Sequence, residues 1–154
     1  MTGKEKISGW INEHETRLTG LLEEMVCIQS GSHNKPGVDQ VGTVVLREME
    51  AIGFSCTIDR QKKFGNHIIA RSPGFDPAAK QILITGHMDT VFPADTDFTF
   101  FKQDEAHTYG PGVADMKGGL VVGIYALKAL SGLNLLDGAN IRFVFNSEEE
   151  VGSV

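Results

Sequence analysis

The apolar positions change period along the chain, and those changes divide it into elements. From Ile7 to Ile28, apolar residues Ile7, Trp10, Ile11, Leu18, Leu21, Leu22 and Met25 recur at steps of three and four, with Glu13, Glu15, Glu23 and Glu24 between them. That spacing predicts one amphipathic helix. A loop of loop-forming composition follows, Ser30 to Gly37, and a second helix is predicted from Val38 to Ile52, stopped by Gly53. Ser55–Asp59 and Asn66–Arg71 read as short strands, and Ser72 to Pro77 as a turn-rich connection. Ile82 to Thr85 is an unbroken apolar and β-branched run ending at Gly86, the pattern of a strand buried on both faces. A largely buried helix is predicted from Met116 to Leu130, and its Gly118, Gly119 and Gly123 imply close contact with the sheet or a ligand. Asn140 to Asn146 reads as another central strand. Alternation of strands and helices in this order predicts an α/β fold.

Composition narrows the function classes. The chain has 154 residues, 41% hydrophobic and 22% charged, enough for one domain with a sizeable core. A formal net charge of -6 without any Lys/Arg cluster argues against a nucleic-acid or anionic-membrane surface and suits a cation better. Cys27 and Cys56 lie far apart in segments where a small buried thiol is expected. The N-terminal residues lack the apolar run of a signal peptide and no stretch approaches the ~18 apolar residues of a membrane span, so the cytoplasm is the expected compartment.

Chemistry gathers where strands end. His87 and Asp89 are two apart after the Ile82–Thr85 run, so in extended backbone they share a side, and the carboxylate can orient the imidazole or share a cation with it. Asp115 stands in the glycine-rich stretch Tyr109 to Gly119, at the mouth of the following helix. A phosphate cradle is excluded there, because Lys117 is flanked by Met116 and Gly118 rather than by Gly and Ser/Thr. His14-Glu15 lacks the second histidine that a zincin helix needs, the position being Leu18. His33 reads as solvated and His67 as structural. Phe92 to Phe101 fits either a substrate cleft or a cap on a core edge. The third polar stretch is Glu148-Glu149-Glu150, after the Asn140–Asn146 strand. In open α/β sheets ligand sites lie beyond the carboxyl ends of strands, so the three stretches converge. A His/Asp/Glu set without sulfur suits a divalent ion, zinc first and then cobalt or manganese.

Gly86-His87-Met88-Asp89-Thr90-Val91, Gly110 to Gly119 and Glu148-Glu149-Glu150-Val151-Gly152-Ser153 resemble, in order and spacing, the M20 metallopeptidases, most nearly the glutamate carboxypeptidase branch. The resemblance implies a three-layer α/β sandwich with a mixed, mainly parallel central sheet. It further implies two zinc ions, with His87 binding one, Asp115 bridging both and Glu150 binding the other. Glu149 would be the general base, Asp89 would orient the His87 ring, and Met116 would follow a cis peptide bond. Glu148 stands where such proteins often have Asp. The implied activity is hydrolysis of an amide bond in a small peptide or N-acyl amino acid, or deacylation of a metabolite such as acetylornithine or succinyl-diaminopimelate. Members of the family continue past the paired glutamates with an Asp and a His that complete the metal shells and with an inserted dimerisation domain. Residues 1–154 are therefore expected to be the N-terminal portion of the catalytic domain of a homodimeric enzyme. By itself this portion is expected to be inactive, with a metal- or partner-binding role as the alternative. The final strand is expected to present an open edge.

Overall fold

A computed structural model describes residues 2–153. Its elements in order are α1 (Gly3–Glu13), α2 (Glu15–Val26), α3 (Lys35–Glu50), β1 (Ser55–Asp59), β2 (His67–Arg71), β3 (Ile82–His87), β4 (Lys102–Gln103), β5 (Thr108–Tyr109), α4 (Lys117–Gly132) and β6 (Ile141–Asn146). A 3-10 turn, Glu149–Val151, follows β6.

Local chemistry accounts for the helix ends. Thr2 and Glu5 form a reciprocal capping box at the start of α1, and the Asn34 side chain accepts from Gly37 N to cap α3. The single helix expected across Ile7–Ile28 is two helices. His14 stacks on Trp10 at 3.7 Å, and its Nδ1 donates to the Trp10 carbonyl at 2.8 Å, taking up a backbone acceptor freed at the end of α1.

β1, β2, β6 and β3 form a mixed sheet in that order. β1–β2 and β2–β6 pair antiparallel and β3–β6 parallel, so the α/β architecture is as expected while the pairings described here are mostly antiparallel rather than mainly parallel. Strand direction depends on which distant strand is the neighbour, information that periodicity does not carry. Ile68 pairs with Phe145 and Ala70 with Phe143, placing four buried residues on one face with α3 and α4. Gly123 of α4 lies against Phe143: a Cβ there would sit 2.9 Å from the ring, so the helix approaches closely, as its glycines imply. α4 is not buried all round, since Val122 is 67% exposed. On the opposite face Arg71 and Arg142 are cross-strand partners, and the Phe75 ring lies 6.0 and 5.1 Å from their guanidiniums.

β6 is central, flanked on both sides, so among the described residues the edge strands are β1 and β3 instead. This corrects the fully buried reading of Ile82–Thr85: Ile82 and Leu83 are 58% and 61% exposed, and only Gly86 and His87 at the strand's end are buried. Cys27 is exposed and Cys56 half-buried, its thiol pushed up to about 11 by burial. Among the described residues no helix is long and apolar enough to cross a membrane.

Candidate metal centre

The C-terminal ends of parallel neighbours β3 and β6 lie side by side, His87 pairing with Asn146. Their following loops must therefore emerge together. Met88 N donates to Asn146 O at 2.7 Å, carrying the pairing one residue further. Beyond that point the chain zips onto the loop after α2. Thr90 N donates to Ser30 O, Ser32 N to Thr90 O, and Ser30 Oγ to Met88 O, at 3.0, 3.2 and 3.0 Å.

Asp89, wholly buried, is where these segments are tied together. Its Oδ2 accepts from Ser32 Oγ at 2.6 Å and from Glu150 N at 3.2 Å, and its Oδ1 accepts from Glu149 N at 3.2 Å. Burial would raise this carboxyl, yet His87, Ser32 and the two backbone N–H groups together hold it below the usual carboxylate range. His87 Nδ1 lies 3.0 Å from the Asp89 carbonyl and 3.3 Å from Asp89 Oδ1. Since a carbonyl only accepts, Nδ1 carries the hydrogen and Nε2 is left facing outward. Both the backbone and the carboxylate of Asp89 thus orient the ring.

His87 Nε2 faces Asp115 Oδ1 at 3.0 Å, with Glu149 Oε2 at 3.9 Å. Burial would lower this imidazole, but hydrogen bonds to the Asp89 and Asp115 carboxylates, aided by the Asp89 carbonyl and charge, raise it to about 9. Ligand atoms of His87, Asp115 and Glu150 all lie within 4.8 Å of one another. The Glu150 carboxyl is raised by burial and by the charges of Asp115, Asp89 and Glu149, against the pull of His87. Converging carboxylates of this kind are what a cation relieves, and the absence of sulfur suits zinc or a harder divalent ion. The donor set therefore fits a divalent metal.

Asp115 reaches the group from the turn before α4, and the Asp115–Met116 peptide bond is cis, as the resemblance implies. That turn is anchored by Lys117, fully buried, whose Nζ donates to the carbonyls of Met25 and Ile28 at 2.9 Å each. Gly112, at φ 77°, lets the backbone fold over the lysine stem, and Lys117 N donates to Gly112 O at 2.7 Å. Glu149 is largely exposed on the 3-10 turn, open to a ligand.

His67 is structural, as the sequence suggests, yet it braces the site. Ser147 N donates to its Nδ1 at 3.3 Å, Ser147 Oγ donates to Gly65 O at 2.6 Å, and its Nε2 lies 4.0 Å from Glu148 Oε1. Sequence reasoning missed Ser32 and Ser147, whose partners are 57 and 80 residues away, and used Lys117 only to exclude a phosphate loop. No local signal marks the two serines; a lysine inside a glycine-rich turn before an apolar helix was the one available hint. His33 is exposed, as expected, and stands beside a cleft that Phe92, Pro93 and Ala94 also line.

Residues 83–154 match Peptidase family M20/M25/M40. Carboxypeptidase G2 of Pseudomonas sp. (strain RS-16) is 32% identical over 135 residues, 86% of this chain and 32% of that protein. The crystal structure of human carnosine dipeptidase 1 superposes with a TM-score of 0.84 at 26% identity, covering 97% of this chain and 36% of that one. The M20 family metallo-carboxypeptidase Sso-CP2 from Sulfolobus solfataricus gives 0.72 at 25% identity, covering 89% of this chain and 32% of that one. The chain thus spans about a third of the length of the relatives it matches. With the three motifs, the matched segment and the shared fold in agreement, residues 83–154 carry part of a Peptidase family M20/M25/M40 domain.

Proposed function

We propose that this chain supplies metal ligands and the general base for zinc-dependent hydrolysis of an amide bond in a small peptide or N-acyl amino acid. The observation that carries the reading is the convergence of His87, Asp115 and Glu150 within 4.8 Å, beside an exposed Glu149. Names of the relatives support the substrate class: one is a carboxypeptidase and another a carnosine dipeptidase.

His87 Nε2 and the carboxylates of Asp115 and Glu150 would hold the zinc, with further ligands coming from outside these three residues. Metal bound there would polarise the scissile carbonyl and make the attacking water more acidic. Glu149 takes the proton from that water and returns it to the leaving nitrogen, acting as base and then as acid. Asp89 holds His87 in the tautomer that presents Nε2 and fixes the backbone from which Glu149 and Glu150 project.

The test is Glu149→Gln, assayed on N-acyl amino acids with metal content measured in parallel. Turnover is expected to fall about 100-fold or more with zinc content unchanged. A variant keeping more than about 10% of the rate would remove Glu149 from the base role.

A further inference from the structure

A cleft of about 390 Å³ opens beside Glu150, between the loop after α2 and the loop after β3. Its volume is that of a small-molecule pocket. The wall is mostly apolar, formed by Val91, Phe92, Pro93, Ala94 and Val151. Val91 holds its side chain 65% exposed there. Phe92 is fixed, its ring meeting Phe98 edge-on at 4.9 Å and its carbonyl accepting from Gln29 Nε2 at 2.9 Å.

The two polar side chains that flank His33 on its loop are already committed. Ser32 Oγ is bound to Asp89, and the Asn34 amide is bound to the Gln29 backbone carbonyl and Gly37 N. His33 is different: among the described residues its ring makes no hydrogen bond, and it is steadied only by a tilted contact with Phe64, centroids 5.6 Å apart. A neutral imidazole can both donate and accept, so this ring is free to meet a ligand. Neither lysine nor arginine lines the cleft, and Glu150 stands at its edge. The side chains of the cleft therefore offer a free carboxylate no lysine or arginine to pair with.

We infer that this cleft holds the uncharged, apolar acyl side of the substrate, with Val91 packing on its side chain and His33 hydrogen-bonding its polar backbone, so that these two residues set substrate preference. The inference rests on the amide-hydrolase reading for its orientation: the leaving amino acid carries the free carboxylate, which this cleft does not suit, so the opposite side of the scissile bond occupies it. Val91 and His33 act by binding and take no part in proton transfer.

The experiment is an NMR titration of the chain with N-acetyl-L-phenylalaninamide and, separately, N-acetyl-L-aspartic acid, in the parent, Val91→Asp and His33→Ala, with a zinc-binding isotherm for each. Shifts induced by the phenylalanine probe are expected at residues 31–34 and 91–94. Its dissociation constant should rise about tenfold in Val91→Asp and about fivefold in His33→Ala, with the aspartate probe much the weaker in the parent. Both substituted side chains are exposed and outside the metal group, so the zinc isotherms should coincide. Shifts elsewhere or nowhere, equal binding of the two probes, or variants that bind like the parent would overturn the assignment. A parent that binds the phenylalanine probe in the cleft but binds no zinc would sink the hydrolase reading while leaving the ligand chemistry of the cleft intact.

Discussion

The buried carboxylate of Asp89 accepts the backbone N–H of Glu149 at 3.2 Å, so the residue that orients the His87 ring also fixes the turn carrying the proposed base. Two motifs 60 residues apart are thereby held in one register. Replacing Asp89 by Asn keeps the shape but removes the charge and turns one acceptor into a donor facing N–H groups. Asp89→Asn is expected to cost about 3 kcal/mol in urea unfolding of the metal-free protein and to weaken zinc about 10- to 100-fold. Unchanged zinc affinity would mean that Asp89 only packs.

In the metal-free protein the His87 imidazole stands at about 9, against an ordinary value of 6.5, and so carries a proton at pH 7. A metal must displace it, because only the neutral ring ligates. Zinc binding at pH 7 should therefore release close to one proton from this group, read by calorimetry in buffers of different ionisation enthalpy, and affinity should rise about tenfold per pH unit from 7 to 8. The sign for stability is opposite. The folded state binds this proton more tightly than the unfolded one, so the contribution is full below about pH 6.5 and is lost as pH climbs toward 9. Denaturation midpoints of the metal-free chain should fall between pH 6.5 and 8. A midpoint that climbs over this interval would contradict the His87–Asp89–Asp115 arrangement.

Lys117 has no carboxylate partner among its hydrogen bonds; two carbonyls at the end of α2 hold it, and burial pulls it down to about 8. Lys117→Ala leaves those carbonyls unpaired and opens a cavity, at an expected cost of about 3–5 kcal/mol. Lys117→Met retains the stem and removes the buried charge, so its cost should be smaller, about 1–2 kcal/mol. Thermal melts of both variants check this order. Equal losses would indicate that packing of the stem contributes little.

Much of the site was legible because its residues follow strands directly. His87, Asp115 and Glu150 sit where apolar runs or glycine-rich turns give way to polar residues, and beyond the strand ends these loops meet. The contacts that hold them were not legible. Ser32 and Ser147 act across the fold, and nothing in their own neighbourhoods marks them; His67 reads as structural without its partners being legible. Edge position was hidden for a related reason: three apolar residues and a threonine in a row read alike in a central strand and in β3, which has one neighbour among the described residues. The break between α1 and α2 depends on one imidazole turning back to a carbonyl, with neither Gly nor Pro at the break to announce it.

The most direct test of the metal centre is a zinc isotherm for the chain, by competition with a chromophoric chelator, set beside those of His87→Ala, Asp115→Ala and Glu150→Ala. Zinc is expected to bind the parent, and each substitution should weaken it at least about tenfold. A parent that binds no zinc, or three variants that bind it as the parent does, would contradict the assignment of these residues as ligands.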